Sequence, residues 1–230
     1  MFQKAISIVR HSIFPVFLLK KDGAKNTVMA VGTGFFISES GHFLTAYHVI
    51  KSNKDPAFRP VYYGNLPFTT TGKPIEITEI YSDAKRDVFL GKVDSGFLPP
   101  VKITNEKQND GKSVVLSGYP LPVIKQNAQG GFDLSNVRQY WQPTILIDQF
   151  EEFKIDTSAF SAFMTQHPAL NGMSGAPLFD LEGNTLGISV ATFNRKVPQN
   201  DGGQIRVDNG IAVKISSIRD VIDMATIHGT

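Results

Sequence analysis

The chain is divided into many short runs of β-branched and aromatic residues, separated by turns rich in glycine, asparagine and aspartate. Runs of this kind are typical of β-strands. The strands predicted in this way are 15–19, 28–37, 43–46, 74–81, 88–93, 113–117, 140–147, 153–156, 176–180, 186–193 and 211–215. The sequence therefore predicts an all-β fold, and its 230 residues are enough for one large core or two small barrels.

Helices are predicted only at the two ends of the chain. Apolar residues in 2–9 recur with the i, i+3, i+4, i+7 spacing of an amphipathic helix. Apolar residues in 215–225 also share one helical face, and Ser217 and Asp220 have the spacing of a capping box at its start. Each end is therefore expected to pack one helix against the β-structure.

One serine lies in a glycine-rich turn directly before a predicted strand. The turn reads Asn-Gly-Met-Ser-Gly-Ala-Pro over 171–177 and contains Ser174. A reactive serine needs such a backbone, because neighbouring glycines allow amide N–H groups to converge where an oxyanion would form. By itself the pattern does not distinguish a catalytic serine from an ordinary tight turn.

Two segments far upstream supply the groups that would activate this serine. His48 stands at the end of the predicted strand 43–46, after the Gly-Thr-Gly-Phe-Phe run that begins at residue 32, and Asp87 leads directly into the strand 88–93. The order His48, Asp87, Ser174 is that of chymotrypsin and differs from the orders in subtilisin and the α/β-hydrolases. The chain therefore resembles the trypsin/chymotrypsin-like serine peptidases, especially bacterial HtrA/Deg-type and glutamyl-endopeptidase-type protease domains.

The resemblance implies a fold of two six-stranded antiparallel Greek-key β-barrels with a C-terminal helix. A first barrel over 1–100 would carry His48 and Asp87, and a second over 101–230 would carry Ser174 and the C-terminal helix. The polar, proline-containing stretch 95–110 would connect them.

The resemblance also implies a serine endopeptidase that acts through an acyl-enzyme. Ser174 would be the nucleophile, His48 the general acid and base, and Asp87 the group that orients the imidazole. The backbone N–H groups of Gly172 and Ser174 would form the oxyanion hole. Histidine suits this role because its ordinary pKa of about 6.5 lets it accept and return a proton near neutral pH. Asp83 is the rival carboxylate, and the resemblance favours Asp87, because the resembled family places its acid immediately before an apolar strand, as in Asp-Val-Phe-Leu here.

In the resembled family, residues before the nucleophile turn and on the following strand line the pocket for the P1 side chain. The corresponding residues here are Ala169, Asn171, Ser189, Val190, Ala191 and Thr192. None is acidic, so a small or medium apolar P1 residue is expected instead of Arg or Lys. Ser189 stands where glutamyl endopeptidases carry a histidine, although His167 leaves a glutamate preference open. His42 lies in a polar turn and is expected to be exposed.

The chain differs from the resembled family in features that bear on regulation. Met173 stands where vertebrate trypsins carry the aspartate that captures a newly freed N-terminus, so that activation route is not expected. Two segments lie outside the resemblance: 119–150, interpreted as an inserted hairpin or as a loop that gates the cleft or docks a partner, and 194–203, a candidate flap. Regulation by a protein partner is therefore kept as an alternative, whereas assembly through a PDZ-like extension is not expected.

Composition excludes several other classes of protein. A formal net charge of +2 without a Lys/Arg cluster argues against a nucleic-acid or anionic-membrane partner. The absence of cysteine and of a His-Glu-x-x-His motif argues against cysteine proteases, thiolate zinc sites and metalloproteases, so no metal or cofactor is expected. Charged residues and proline interrupt the apolar stretch 6–19, which is neither a signal peptide nor a membrane span. If Met1 is the natural start, a cytoplasmic location in a bacterium is expected.

Two hypotheses from different classes follow. The first is an active endopeptidase whose substrate is a polypeptide. The alternative is a latent or inactive protease-fold module that binds a peptide or a partner protein. The three intact triad positions favour the first.

Overall fold

A computed structural model describes residues 2–23, 25–64, 73–120, 124–126, 132–134, 136–198 and 203–227. Most of these residues lie in strands. The elements are, in order, α1 (Gln3–Val9), β1 (Ile13–Asp22), β2 (Lys25–Phe36), β3 (His42–Ala46), α2 (Tyr47–Lys51), β4 (Phe58–Tyr62), β5 (Ile75–Glu76), β6 (Thr78–Asp83), β7 (Val88–Lys92), β8 (Lys102–Ile103), β9 (Ser113–Gly118), β10 (Lys125–Gln126), β11 (Phe132–Asp133), β12 (Tyr140–Ile155), β13 (Ser158–Thr165), β14 (Pro177–Phe179), β15 (Asn184–Pro198), β16 (Gln204–Lys214), a 3-10 helix (Ile215–Ile218) and α3 (Arg219–Ile227).

The first seven strands form one sheet in the order β5-β4-β1-β2-β3-β7-β6. Only Ile77 separates β5 from β6, and its N–H donates to the carbonyl of Pro60 in β4 at 3.0 Å. β5 and β6 therefore act as one bent strand that pairs with β4 at one end and β7 at the other. The ring that results has six strands, and the predicted strand 74–81 is divided at Ile77 into β5 and β6.

The second sheet has the order β14-β9-β12-β13-β16-β15-β8, and an additional pairing of β14 with β15 closes it. Six antiparallel strands complete this barrel, while β8 joins β15 from outside as a short parallel strand. Together with α1 and α3, the two sheets confirm the predicted chymotrypsin-like architecture. The chain passes from the first sheet to the second between β7 and β8, where the connector 95–110 is predicted.

Aromatic side chains fill the first barrel. The rings of Phe14 and Phe36 stack with centroids 4.5 Å apart, and Phe43 and Tyr62 meet Phe14 edge-on at 5.1 and 5.0 Å. Full burial of one such side chain contributes about 1.5–3 kcal/mol, and each aromatic pair adds about 0.5–1.5 kcal/mol. Burial also raises the pKa of Tyr62 to about 12. This core holds β3 in the position from which the chain continues into the candidate site.

Several strands differ from the prediction. β4 and β13 were not predicted, and the two predicted strands 140–147 and 153–156 are one 16-residue strand, β12. The stretch 148–152 between them contains the register shift between Phe150 and Phe153, and its three acidic residues, Asp148, Glu151 and Glu152, are exposed. The pairing with β13 carries the strand through this stretch despite its poor local propensity for β-structure.

His42 is the clearest correction to an expected exposure. It is the first residue of β3 and is 0% exposed, and its Nδ1 lies 2.9 Å from the hydroxyl of Ser38 and 3.1 Å from that of Ser40. The polar turn before it therefore binds its imidazole and does not leave it in solvent.

The predicted capping box at the C-terminal helix is wrong. The Ser217 hydroxyl donates to the carbonyl of Lys214 at 2.8 Å, and Asp220 accepts hydrogen bonds from both terminal nitrogens of Arg86 at 2.7 and 2.8 Å. The hydrogen bonds from Arg86 lower the pKa of the Asp220 carboxyl below its ordinary value. Arg86 also binds Asp83 through Nε at 2.7 Å, so it fastens the loop before Asp87 to α3.

The two segments outside the family resemblance are only partly described. In 119–150 the described residues form β10, β11 and the first part of β12, while 121–123, 127–131 and 135 lie outside the described residues. In 194–203, residues 194–198 are the end of β15 and pair with the first part of β16, and 199–202 lie outside the described residues. No helix in the described ranges is long and apolar enough to cross a membrane.

Candidate active site

His48 and Asp87 meet because the strands that carry them are neighbours. Ala46, the last residue of β3, pairs with Val88, the first residue of β7, so the residues just beyond the pair lie side by side. His48 Nδ1 is 2.7 Å from Asp87 Oδ2, and the His48 backbone N–H donates to Asp87 Oδ1 at 3.0 Å. Because the carboxylate holds Nδ1, Nε2 is the ring nitrogen left to exchange a proton with another group.

Asp87 is held in an unusual backbone conformation. Its φ of 53° lies in the left-handed region, which aspartate tolerates better than most residues, and its carbonyl accepts the N–H of Tyr47 at 3.1 Å. The side chain of Asp87 is 13% exposed and that of His48 is 39% exposed. The rival Asp83 instead binds Arg86, so geometry favours Asp87 as the partner of the imidazole.

The turn that carries Ser174 packs directly onto the end of β3. A Cβ built on Gly175, whose φ is 84°, would lie 2.1 Å from Thr45 Oγ1, 2.2 Å from the Thr33 carbonyl oxygen and 2.9 Å from the Ala46 nitrogen. Only glycine allows this approach. It brings the Ser174 turn of the second barrel to the strand end that leads into His48 on the first.

The backbone around Ser174 leaves two N–H groups for a ligand. Most polar backbone groups of the turn are bonded within the protein: Met173 N–H to Leu170 O at 2.9 Å, Gly175 N–H to Ser189 O at 2.7 Å and Ala176 N–H to Met173 O at 3.0 Å. Within the described ranges, no group accepts a hydrogen bond from the N–H of Gly172 or of Ser174. Gly172 and Ser174 are half-buried, so these two N–H groups are available to donate to an incoming oxyanion, and the oxyanion hole stays a prediction.

A cleft of about 410 Å³ lies beside the imidazole. Its lining combines His48 and Asp87 with Val190 and Ala191, two of the predicted pocket residues, and with the tip of the β12–β13 hairpin at 155–158. A larger cavity, of about 630 Å³, lies elsewhere, around 105–109 of the second barrel, and no predicted site residue lines it. The chemistry of the lining therefore identifies the smaller cleft as the candidate site.

The hairpin tip is a wall of the cleft that sequence reasoning missed. Two hydrogen bonds fix the tip to the loop before Asp87: Ala159 N–H donates to Lys85 O at 2.8 Å, and the Ser158 hydroxyl donates to Ala84 O at 3.1 Å. Asp156 lies at this tip with a φ of 51°. The Asp-Thr pair between strands predicts a turn, but no sequence signal places that turn on the other barrel.

The other predicted pocket residues differ in their exposure and in their contacts with the segments around the nucleophile turn. Thr192 Oγ1 and Ala169 O are 3.5 Å apart, which joins the strand after the nucleophile to the loop before it. Ser189 is 3% exposed, and its backbone binds the nucleophile turn, whereas Asn171 and the side chain of His167 are exposed. Their contribution to P1 selection stays a prediction. No three His, Cys, Asp or Glu residues in the described ranges are grouped so that they could hold a metal.

We expect Gly175→Ala to destabilise the protein by about 2–5 kcal/mol. A left-handed φ costs an L-residue about 1–2 kcal/mol, and crowding of packed atoms adds about 1–3 kcal/mol. Gly111→Ala is the matched control, because Gly111 has a φ of 82° and a Cβ added there would meet no atom within 4 Å. Urea denaturation should show the larger loss only at Gly175. Equal losses in the two variants would contradict the close approach of the Ser174 turn to β3.

Comparison with known proteins agrees with this geometry. The family model described as Trypsin-like peptidase domain matches residues 32–188, a range that contains His48, Asp87 and Ser174. A probable periplasmic serine endoprotease DegP-like of Pseudomonas fulva is 28% identical over 209 residues, which cover 90% of this chain and 37% of the relative. An uncharacterised protein of Sinorhizobium fredii is 33% identical over 84% of this chain and 27% of its own length. The chain thus spans about a third of the length of these curated relatives.

Solved structures show the same fold. The active form of the Rv3671c protease from M. tuberculosis superposes with a TM-score of 0.64 at 20% identity, covering 96% of this chain and 83% of that one. The HtrA-type protease AlgW, solved with a tripeptide, gives a TM-score of 0.68 at 18% identity, covering 100% of this chain and 65% of that one.

Proposed function

The chain belongs to the trypsin-like peptidase family, and from this premise we propose that it is a serine endopeptidase that cleaves polypeptides through an acyl-enzyme on Ser174. The observation that carries the proposal is the His48–Asp87 pair, bonded at 2.7 Å on the strand ends against which the Ser174 turn packs. A base, its orienting carboxylate and a serine in a glycine turn are the parts that activate a weak hydroxyl nucleophile.

In the proposed acylation step, Ser174 Oγ attacks the carbonyl carbon of the scissile peptide while His48 Nε2 takes the hydroxyl proton. Negative charge moves to the carbonyl oxygen, where the N–H groups of Gly172 and Ser174 would stabilise it. The Asp87 carboxylate stabilises the imidazolium that has formed. His48 then donates its proton to the leaving amine as the C–N bond breaks, and the acyl group stays on Ser174.

Deacylation repeats the same proton movements with water as the nucleophile. His48 Nε2 takes a proton from the water as its oxygen attacks the ester carbon, and returns it to Ser174 Oγ as the ester bond breaks. The carboxylic acid product leaves and the hydroxyl of Ser174 is regenerated. Because one imidazole serves both steps, a single substitution at His48 removes acid and base catalysis together.

The proposal includes a preference for small or medium apolar P1 residues. Its support is the apolar side chains of Val190 and Ala191 in the cleft. Asp156 lines the same cleft and would favour a basic P1 residue, and cleavage of a peptide library distinguishes the two preferences. Regulation by a protein partner is also part of the proposal, as an alternative to constitutive activity. The compartment is a proposal too: the Pseudomonas relative carries the name of a probable periplasmic endoprotease, and fractionation of cells that express the natural gene distinguishes a periplasmic from a cytoplasmic location.

A fluorophosphonate probe tests the proposal directly. Its phosphorus forms a bond to Ser174 Oγ and fluoride leaves, so labelling requires an activated serine but no particular peptide substrate. We expect wild-type protein to gain one label on the peptide that contains Ser174, and His48→Ala to remain unlabelled. Folded wild-type protein that takes up no label, with or without added peptides, would instead support the inactive binding module.

A further inference from the structure

Thr33, on β2 of the first barrel, uses all of its polar groups in contacts around the nucleophile turn. The residue is 0% exposed. Its backbone N–H donates to Ser174 O at 2.9 Å, and its carbonyl accepts the Thr45 hydroxyl at 2.7 Å. Its own hydroxyl lies between the Tyr119 N–H at 3.0 Å and the carbonyl oxygen of Gly172 at 2.9 Å.

The direction of the hydroxyl hydrogen bond follows from its two neighbours. Tyr119 N–H can only donate, so it occupies a lone pair of Thr33 Oγ1. The carbonyl of Gly172 can only accept, so the single hydroxyl hydrogen of Thr33 is directed to it. Serine could replace both bonds, whereas valine, which has the same shape, could make neither.

The group that Thr33 holds lies between the two N–H groups of the proposed oxyanion hole. The peptide joining Gly172 to Met173 is held at its oxygen by Thr33 and at its nitrogen by Leu170 O, 2.9 Å away. The peptides on either side of it carry the N–H groups of Gly172 and Ser174. Gly172, with a φ of 91°, has no side chain to restrict its rotation, so the contact from Thr33 adds to the Leu170 bond in fixing this orientation.

We propose that Thr33 is a positioning residue for the oxyanion hole: its buried hydroxyl, supported by Tyr119, holds the Gly172 carbonyl so that the flanking N–H groups face the reacting carbonyl. The first barrel would thus supply both the imidazole and the contact that orders the oxyanion donors of the second. The inference rests on the proposed peptidase function.

The test compares Thr33→Val, Thr33→Ala and Thr33→Ser with wild type on a fluorogenic peptide amide that has alanine or valine at P1. Loss of one oxyanion donor costs about 10²–10³-fold in kcat, and small misplacement of a reacting group costs about 10²-fold. We therefore expect Thr33→Val and Thr33→Ala to lose about 10²-fold in kcat with KM within about threefold. Binding of a peptide aldehyde, which forms a tetrahedral adduct with Ser174, should weaken in parallel, and Thr33→Ser should stay within about threefold of wild type.

Thr165→Val is the matched control, because Thr165 is 5% exposed and its hydroxyl donates to the carbonyl of His167 at 2.9 Å. We expect Thr165→Val to lose about as much thermal stability as Thr33→Val but to keep most of its kcat. The inference is overturned if Thr165→Val loses as much kcat as Thr33→Val, if Thr33→Ser fails to restore kcat, or if both non-hydroxyl variants are unfolded, since the hydroxyl would then serve the fold as a whole. Wild-type protein that neither cleaves peptides nor takes up a fluorophosphonate would instead refute the proposed function.

Discussion

Replacing Ser174 by alanine is expected to lower kcat for peptide hydrolysis by about 10⁶-fold while the fold is retained. The substitution removes the oxygen that would form the acyl-enzyme and leaves His48 with no nucleophile to activate. Ser174 is half-buried, and the hydrogen bonds that hold its turn come from backbone groups and the Thr33 hydroxyl, not from the Ser174 side chain, so alanine preserves them. Initial rates on a cleaved peptide, with thermal unfolding in parallel, measure both effects.

The residual rate distinguishes nucleophilic from purely electrostatic catalysis. Binding and the oxyanion donors alone leave a rate about 10³–10⁴-fold above the uncatalysed reaction. Ser174→Ala protein that keeps more than about a hundredth of wild-type kcat would contradict the nucleophile assignment, provided that contaminating protease is excluded by inhibitor treatment.

The exchange of Asp87 for asparagine should lower kcat by about 10⁴-fold, the second largest effect expected. An asparagine NH₂ group facing Nδ1 favours the wrong imidazole tautomer, so Nε2 would carry the proton that it should accept. The side chain remains the same size and can still accept the His48 backbone N–H. Steady-state kinetics at several pH values, with KM measured separately, would show a loss confined mainly to kcat.

Asp83→Asn is the matched control on the same loop. Asp83 is the other carboxylate that the sequence offers, and it binds Arg86 through a 2.7 Å ion pair. Its Oδ1 accepts backbone N–H groups that asparagine can also satisfy. We expect kcat to stay within about threefold of wild type. A loss at Asp83 that equals the loss at Asp87 would show that the whole loop, and not one carboxylate, is needed.

Candidate triad positions could be proposed from sequence because the chemistry of a serine peptidase restricts both the residue type and its local setting. Ser174 needs a glycine turn, and His48 and Asp87 stand at the ends of strands that are themselves recognisable. The register of β3 with β7, with Ala46 opposite Val88, then brings the two side chains together. The local sequence patterns and the strand pairing therefore agree in placing His48 beside Asp87.

Contacts between distant segments could not be predicted in this way. His42 stands in a polar local sequence, yet its pairing with Lys92 places it in the buried start of β3. The cleft wall at 155–158 depends on a bond from Ser158 to Ala84, 74 residues earlier in the chain. The first contact depends on strand pairing within the first barrel and the second on how the two barrels dock, and residue type alone encodes neither.

The contacts of Thr33 could not be predicted from its local sequence either. Its Gly-Thr-Gly-Phe setting is part of the pattern that identifies the family, but a hydroxyl between two glycines suggests only a turn or a strand. Its partners Tyr119 and Gly172 lie 86 and 139 residues further along the chain. The proposed positioning role rests on contacts that form only when both barrels are present.

Pre-steady-state hydrolysis of a p-nitrophenyl ester tests the central claim most directly. Ser174 Oγ should form a bond to the acyl carbon and release p-nitrophenolate before water regenerates the enzyme. The account predicts a burst of about one p-nitrophenolate per molecule and, after an acid quench, one acyl group on the peptide that contains Ser174. Folded wild-type protein that shows no burst, or an acyl group on any other residue, would contradict it.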